Sequence, residues 1–260
     1  MPTTPTAAEL FSLRGTVAVV TGATSGLGLA TVEVLASAGA TTVLSGLARE
    51  RPDAVAAALA ASGLSVVGRV CDVSVPHDLD SLVRWTLAEY GRIDTVFANA
   101  GVSLEDHPNG LSADEQFDTM FDVNVRSVLR LADLAIPQMA ERGEGAFIIM
   151  SSLAGIRGNA RIKLYGLTKA ANAQLARNLA VQWGPNGVRV NSIAPGVIKT
   201  EFARAITEGS SSEQRLAKTP MRRFGEPYHV AGTVLWLASK AGSFTTGQNI
   251  VVDGGTVVGD

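Results

Sequence analysis

Three side chains in one stretch have the types and spacing for proton transfer: Ser152, Tyr165 and Lys169. The apolar run 146–150 predicts a strand that ends at Ser151-Ser152. A Gly-containing loop follows, and a helix starts near Tyr165 and carries Lys169 one turn on. Residues four apart share a helix face, so the phenol and the ammonium can point into one cavity. A free tyrosine, with a pKa of about 10, is a poor acid–base group at neutral pH. A nearby cation favours its phenolate and lowers that value. Ser152, at the C-terminal end of a strand, can aim its hydroxyl at the same point. Serine pairs after strands also serve as caps and turns, so the chemistry rests on what surrounds these residues.

The surrounding chain alternates. Short apolar runs at 16–20, 41–45, 65–70, 94–98, 146–150, 188–193 and 249–252 read as strands buried on both faces. Between them lie helical patterns at 27–38, 52–62, 76–90, about 112–141, the stretch from Tyr165, and 227–239, several closed by glycine. This alternation predicts an α/β fold: a Rossmann-type, doubly wound parallel sheet of about seven strands with helices on both faces. Residues 1–12 are expected to form a loosely ordered tail, 13–260 one Rossmann-fold domain, and about 197–225 a loop or lid. In such sheets ligands bind at the carboxyl ends of the strands. The polar and Gly-rich residues fall there: Gly22 to Gly28, Asp72, Asn99 to Gly101, Ser152, and Pro195 to Thr200.

The segment Thr21-Gly22-Ala23-Thr24-Ser25-Gly26-Leu27-Gly28 follows a strand and opens a helix. Gly22 suits a tight turn, and Gly26 and Gly28 let the backbone approach a pyrophosphate. Helix N-terminal amides favour phosphate. The segment therefore predicts a nucleotide site.

Composition narrows the alternatives. The chain has 260 residues, 46% of them apolar, and a net charge of −2. Nothing global attracts nucleic acid or an anionic membrane. Cys71 is the only cysteine, which excludes an internal disulfide and fits a reducing, cytoplasmic setting. His77, His107 and His229 are scattered, so no metal site is expected. No apolar run reaches membrane-spanning length, and the N-terminus lacks the pattern of a secretory signal.

The ordered set of motifs resembles the classical short-chain dehydrogenase/reductase family from Gly15 to Gly255. It comprises the 21–28 loop, Asp72-Val73, Asn99-Ala100-Gly101, Asn124, Ser152, Tyr165-x-x-x-Lys169, Pro195-Gly196 and the stretch 246–255. The resemblance implies an NAD(P)-dependent oxidoreductase interconverting a carbonyl and a secondary alcohol. Tyr165 would exchange the proton, Ser152 would hold the substrate oxygen, and Lys169 would tune Tyr165 and hold the nicotinamide ribose. Asn124 would support a water of a proton relay. Cofactor contacts are implied for Gly22, Thr24, Ser25, Gly26, Leu27, Gly28, Gly46, Asp72, Val73, Asn99, Ala100, Gly101, Tyr165, Lys169, Pro195, Gly196, Ile198 and Thr200. Substrate contacts are implied for Ser152, Leu153, Ala154, Asn159, Tyr165, Val197 and Phe202.

Cofactor choice is read at the end of the second strand, where an acidic residue selects NAD and a basic group accepts the phosphate of NADP. That position is Gly46, followed by Leu47 and Ala48. With no acid there, and with Arg49 and Ser45 as candidate phosphate contacts, the reading leans to NADP over NAD. The group Arg157, Arg161 and Lys163 could bias the pocket toward polar or anionic hydroxy compounds, or could be a solvated or subunit-contact surface. The resemblance also implies a homodimer or homotetramer, with Ala170, Ala173 and Ala176 at a subunit contact or facing the sheet. Two other readings are an enoyl-thioester reductase on the same scaffold, usually with a wider Tyr–Lys spacing, and a dinucleotide-sensing regulator, which commonly lacks the catalytic pair.

Overall fold

A computed structural model describes residues 4–104, 110–160, 162–210 and 212–259. In chain order the elements are α1 (Ala7–Leu10), β1 (Val17–Val20), α2 (Gly26–Ser37), β2 (Thr41–Gly46), α3 (Pro52–Ala61), β3 (Val66–Val70), α4 (Pro76–Tyr90) and β4 (Thr95–Ala98). There follow α5 (Ala113–Phe121), α6 (Ser127–Arg142), β5 (Gly145–Met150), α7 (Leu164–Trp183), β6 (Val188–Pro195), α8 (Arg204–Thr207), α9 (Ser212–Ala217), α10 (Pro227–Ala238) and β7 (Asn249–Val252).

The seven strands form one parallel sheet in the order β3-β2-β1-β4-β5-β6-β7. Alternate residues of each strand feed two cores, as the period of two requires. Val19, Val96, Phe147, Ile149 and Val190 pack under α4, α6 and α7 through Leu82, Leu131, Ile136 and Leu179. Ala18, Val20, Phe97, Ile148 and Ile193 pack under α2, α3 and α10 through Leu35, Ala56, Val230 and Val234. Both sheet faces are thus covered, which accounts for the near-continuous apolar strands. The register sets Val20 beside Phe97, Ala98 beside Ile149, and Met150 beside Ile193. The residues that follow β1, β4, β5 and β6 therefore emerge along one edge, where the strand order reverses between β1 and β4.

Two features differ from the sequence reading. The helix expected over about 112–141 is two helices joined by a π-helical turn, Asp122–Arg126. Hydrophobic periodicity does not register one extra residue in a turn. Within the expected tail, Ala7–Leu10 forms one helical turn, capped by Thr6 and Glu9 in a reciprocal box. The segment after Pro195 holds the short helices α8 and α9 and a 3₁₀ turn, Glu201–Ala203. Arg161 and His107 lie outside the described residues.

Candidate active site

The Gly-rich loop turns out of β1 into α2. Gly22 has φ of +60°, and a Cβ on it would lie 2.8 Å from the Ala100 Cα. A Cβ on Gly28 would lie 2.4 Å from the Gly22 carbonyl oxygen. Asn99 Nδ2 donates to the Thr21 and Gly22 carbonyls at 3.0 and 2.8 Å, while the Thr21 hydroxyl accepts the Asn99 and Ala100 amides, each at 3.2 Å. The end of β4 thereby pins the loop of β1. Ser25, at the N-cap of α2, makes no capping bond with its side chain. The first amides of a twelve-residue helix are left for a ligand. Thr200 reaches this loop from beyond β6: a Cβ on Gly26 would lie 3.5 Å from its Cγ2. Backbone contact distances and uncapped amides together fit a pyrophosphate.

Next to the loop, a cleft of about 390 Å³ is lined by Leu47, Ala48, Arg49, Val70, Asp72 and Asp78. The Asp72 amide donates to Asp78 Oδ2 at 3.0 Å, and Val73 follows, half-buried. At the end of β2 the expectation of no acid is corrected. Glu50 Oε2 accepts the Thr24 hydroxyl at 2.9 Å and the Leu47 amide at 3.0 Å. A Cβ on Gly46 would lie 2.7 Å from that oxygen, so glycine there makes room for the carboxylate. Ser45 is corrected as well: it is fully buried, with its hydroxyl toward the Val20 carbonyl, and cannot reach a phosphate. Arg49 is exposed at the cleft.

Beyond β5, Ser152 is extended and caps a 3₁₀ turn, Leu153–Gly155, its hydroxyl accepting the Ala154 amide at 3.1 Å. The buried Ser151 hydroxyl donates to the Lys169 carbonyl at 2.8 Å, tying α7 to the end of β5. Lys169 is buried, and its Nζ donates to the Met150 carbonyl at 3.0 Å and lies 5.5 Å from the centroid of the Tyr165 ring. A Cβ on Gly101 would come within 3.2 Å of Nζ, so Gly101 backs the ammonium closely. Burial pushes the Lys169 ammonium down to about 8. It pushes the Tyr165 phenol up to about 12, and a hydrogen bond with Ser152 pulls the other way. The expectation that Lys169 lowers Tyr165 is corrected: desolvation of the phenolate dominates, and only the Ser152 hydrogen bond opposes it.

Asn124 sits in the π-helical turn with its side chain fully engaged. Oδ1 accepts the Val102 amide at 2.8 Å, and Nδ2 donates to the Val102 carbonyl at 2.9 Å and to Thr168 Oγ1 at 3.1 Å. Its main-chain carbonyl also meets α7, where it accepts from Asn172 Nδ2 at 2.9 Å. Glu50, Thr168 and Asn172 stand at the candidate site without having been singled out in the sequence, while Thr21 and Ser151, read there as part of the Gly-rich loop and the end of a strand, hold its elements together. Glu50 carried a signal, an acid about twenty residues past the Gly-rich loop; Asn172 carried another, a polar residue one turn past Lys169 on a buried face.

Among the residues expected at the substrate, Leu153 is buried and Ala154 half-buried, while Phe202 is 62% exposed with its ring 6.2 Å from that of Tyr165. Pro195 is buried at the end of β6, and Gly196 packs against Asp253, where a Cβ would lie 2.8 Å from the Asp253 Cβ. Val197 is half-buried and Ile198 buried, bridging to Gly225. Asn159 is exposed. Arg157 Nη1 donates to the Thr256 carbonyl at 2.9 Å, so its guanidinium anchors the C-terminal segment. Of the two places expected for the small residues of α7, Ala173 and Ala176 take the inner one, buried within the chain with Ala176 in the core, while Ala170 is half-buried. Among the described residues there is no cluster of His, Cys, Asp and Glu that could hold a metal, and no helix is long and apolar enough to cross a membrane.

Comparison with known proteins agrees with this geometry. The profile of the family described as "Enoyl-(Acyl carrier protein) reductase" matches residues 22–257. The rabbit (Oryctolagus cuniculus) dehydrogenase/reductase SDR family member 4 is 36% identical over 244 residues, covering 94% of each chain. A tropinone reductase homolog of Arabidopsis thaliana is 35% identical, covering 95% of this chain and 81% of its own. A gluconate 5-dehydrogenase from Burkholderia cenocepacia, solved with NADP and tartrate, superposes with a TM-score of 0.92 at 28% identity over 98% of this chain and 100% of its own. A 7α-hydroxysteroid dehydrogenase, solved with NADH and 7-oxo glycochenodeoxycholic acid, gives 0.89 at 30% identity over 96% and 98%. With the fold, the edge-clustered motifs and these relatives in agreement, the chain belongs to the classical short-chain dehydrogenase/reductase family.

Proposed function

We propose that this oxidoreductase interconverts a ketone and a secondary alcohol, with NAD(H) or NADP(H) as hydride carrier. The observation that carries the reading is the meeting of Ser152, Tyr165 and Lys169 at the sheet edge that also holds the Gly-rich loop. The dinucleotide, when bound, supplies or takes the hydride, chemistry that no side chain performs. Amides of residues 22–28 would hold its pyrophosphate, the cleft at Asp72 and Val73 its adenine, and Asn99 to Gly101 the adjoining ribose. Lys169 would hold the nicotinamide ribose, and Pro195, Gly196, Ile198 and Thr200 the carboxamide.

In the reductive direction Tyr165 Oη gives its proton to the substrate oxygen while the Ser152 hydroxyl donates a hydrogen bond to the same atom. The carbonyl becomes an alcohol, and Tyr165 regains a proton from solvent through the Lys169 region. Oxidation runs the same steps backward. Leu153, Ala154, Val197 and Phe202 would line the substrate pocket, with 197–225 as its lid. The four-residue spacing of Tyr165 and Lys169 favours a carbonyl over an enoyl thioester. The single buried cysteine fits a cytoplasmic enzyme.

The test is titration with NADH and NADPH followed by fluorescence, then turnover of carbonyl and hydroxy compounds. Tyr165→Phe should lower kcat by about a thousandfold or more while leaving dinucleotide affinity within about threefold. Full activity in that variant would remove Tyr165 from the chemistry, and binding of neither dinucleotide would overturn the reading.

A further inference from the structure

Asn172 lies on α7 three residues past Lys169 and seven past Tyr165, on the face that carries both. It is 1% exposed. Its Nδ2 donates to the Asn124 carbonyl at 2.9 Å and to the Met150 carbonyl at 3.2 Å. The Met150 oxygen also accepts Lys169 Nζ at 3.0 Å. The orientation of the amide follows from its partners: reversed, it would set an oxygen against two carbonyl oxygens. Its own Oδ1 is then a buried acceptor without a hydrogen-bond partner among the described residues. Native interiors seldom keep such an atom where an apolar side chain would serve.

We propose that Asn172 is a positioning residue of the proton-transfer site, holding the Asn124 and Met150 carbonyls together and, through the shared Met150 oxygen, setting where Lys169 Nζ stands. Its catalytic meaning rests on the oxidoreductase reading above; its effect on Lys169 does not. A carbonyl oxygen has two lone pairs, and here Lys169 and Asn172 take one each. The positive end of the Asn172 amide therefore lies at the same oxygen as the ammonium. Without it, the Met150 carbonyl would serve Lys169 alone and favour the charged form. The titratable groups that meet at this point from α7 are Tyr165 and Lys169; in the π-helical turn Asp122 and Arg126 pair with each other. The ends of β4 and β5 bring Gly101, Ser151 and Ser152, which carry no charge.

The experiment is a lysine side-chain NMR titration of the protein without dinucleotide, with Lys169 assigned through Lys169→Arg. In Asn172→Leu the Lys169 midpoint should rise above that of the wild type by about half a pH unit or more. Asn172→Asp, which adds an opposite charge, should raise it further. With dinucleotide and a carbonyl substrate, Asn172→Leu should lower kcat about tenfold or more, with dinucleotide affinity within about twofold of wild type. If both variants fold, by circular dichroism, and leave the midpoint unmoved, the proposal is overturned. If Asn172→Leu does not fold, Asn172→Asp decides alone. A moved midpoint in a protein that turns over no carbonyl with either dinucleotide would keep Asn172 at Lys169 and overturn the oxidoreductase reading instead.

Discussion

The Glu50 carboxylate stands over Gly46, held by Thr24 and by the Leu47 amide. At that corner a carboxylate can accept ribose hydroxyls and repels a phosphate. The lean toward NADP assumed that no acid reached the end of β2, and the chain supplies one from four residues on. Glu50→Gln keeps an oxygen for Thr24 and removes the charge. The ratio of NADPH to NADH affinity should rise about tenfold, a modest value because the group is exposed and screened. An unchanged ratio in paired fluorescence titrations would leave Glu50 with its capping role alone. At this scale the sequence was legible where type and spacing carry the chemistry, as at Ser152, Tyr165 and Lys169. It was opaque where a role depends on reach across elements. Glu50 acts on Gly46 through a bend in the chain, and Asn172 acts through carbonyls from two other elements, Asn124 and Met150, which no spacing rule exposes.

Among elements, glycines divide by what stands beside them. Gly28 opens α2 with backbone atoms where its Cβ would be, whereas Gly232, inside α10, has nothing within 4 Å. Gly28→Ala must displace the loop, and should cost about 1–3 kcal/mol of stability and weaken dinucleotide binding. Gly232→Ala should stabilise α10 by about 0.5–1 kcal/mol through helix propensity and a less flexible unfolded chain. Urea unfolding of the two variants checks both signs, and destabilisation by Gly232→Ala would show that α10 needs that glycine for some other reason. Strands and helices were readable in order because short apolar runs and glycine stops mark them. The π-helical turn was not, since the apolar pattern continues on both sides of it while the backbone gains a residue.

For the whole molecule, the surface still shows large apolar side chains exposed. Val181 on α7 is 81% exposed, and Leu167 lies on the same helix, also exposed. Phe244 is fully exposed, and Val251 and Val258 are exposed near the C-terminal strand. Such side chains are candidates for the contact that a homo-oligomer would need. Sedimentation should give a dimer or tetramer, and Val181→Glu should shift it toward smaller species if α7 lies in the contact. A monomer at micromolar concentration would overturn the proposal.

The reversal of strand order between β1 and β4 has a consequence for how the protein comes into being. β1 pairs with β4 only across the length of chain that forms the β2 and β3 units on the other side, and the loop at Gly22 is held only once Asn99 arrives. Ser152 and Lys169 then wait on β5 and α7, later still in the chain. Such long-range parallel pairing is slow to form. Along the folding route the parts of the site are therefore strangers to one another, and dinucleotide binding would be among the last properties to appear. Its onset during refolding would time the closing of the sheet more faithfully than the early gain of helix.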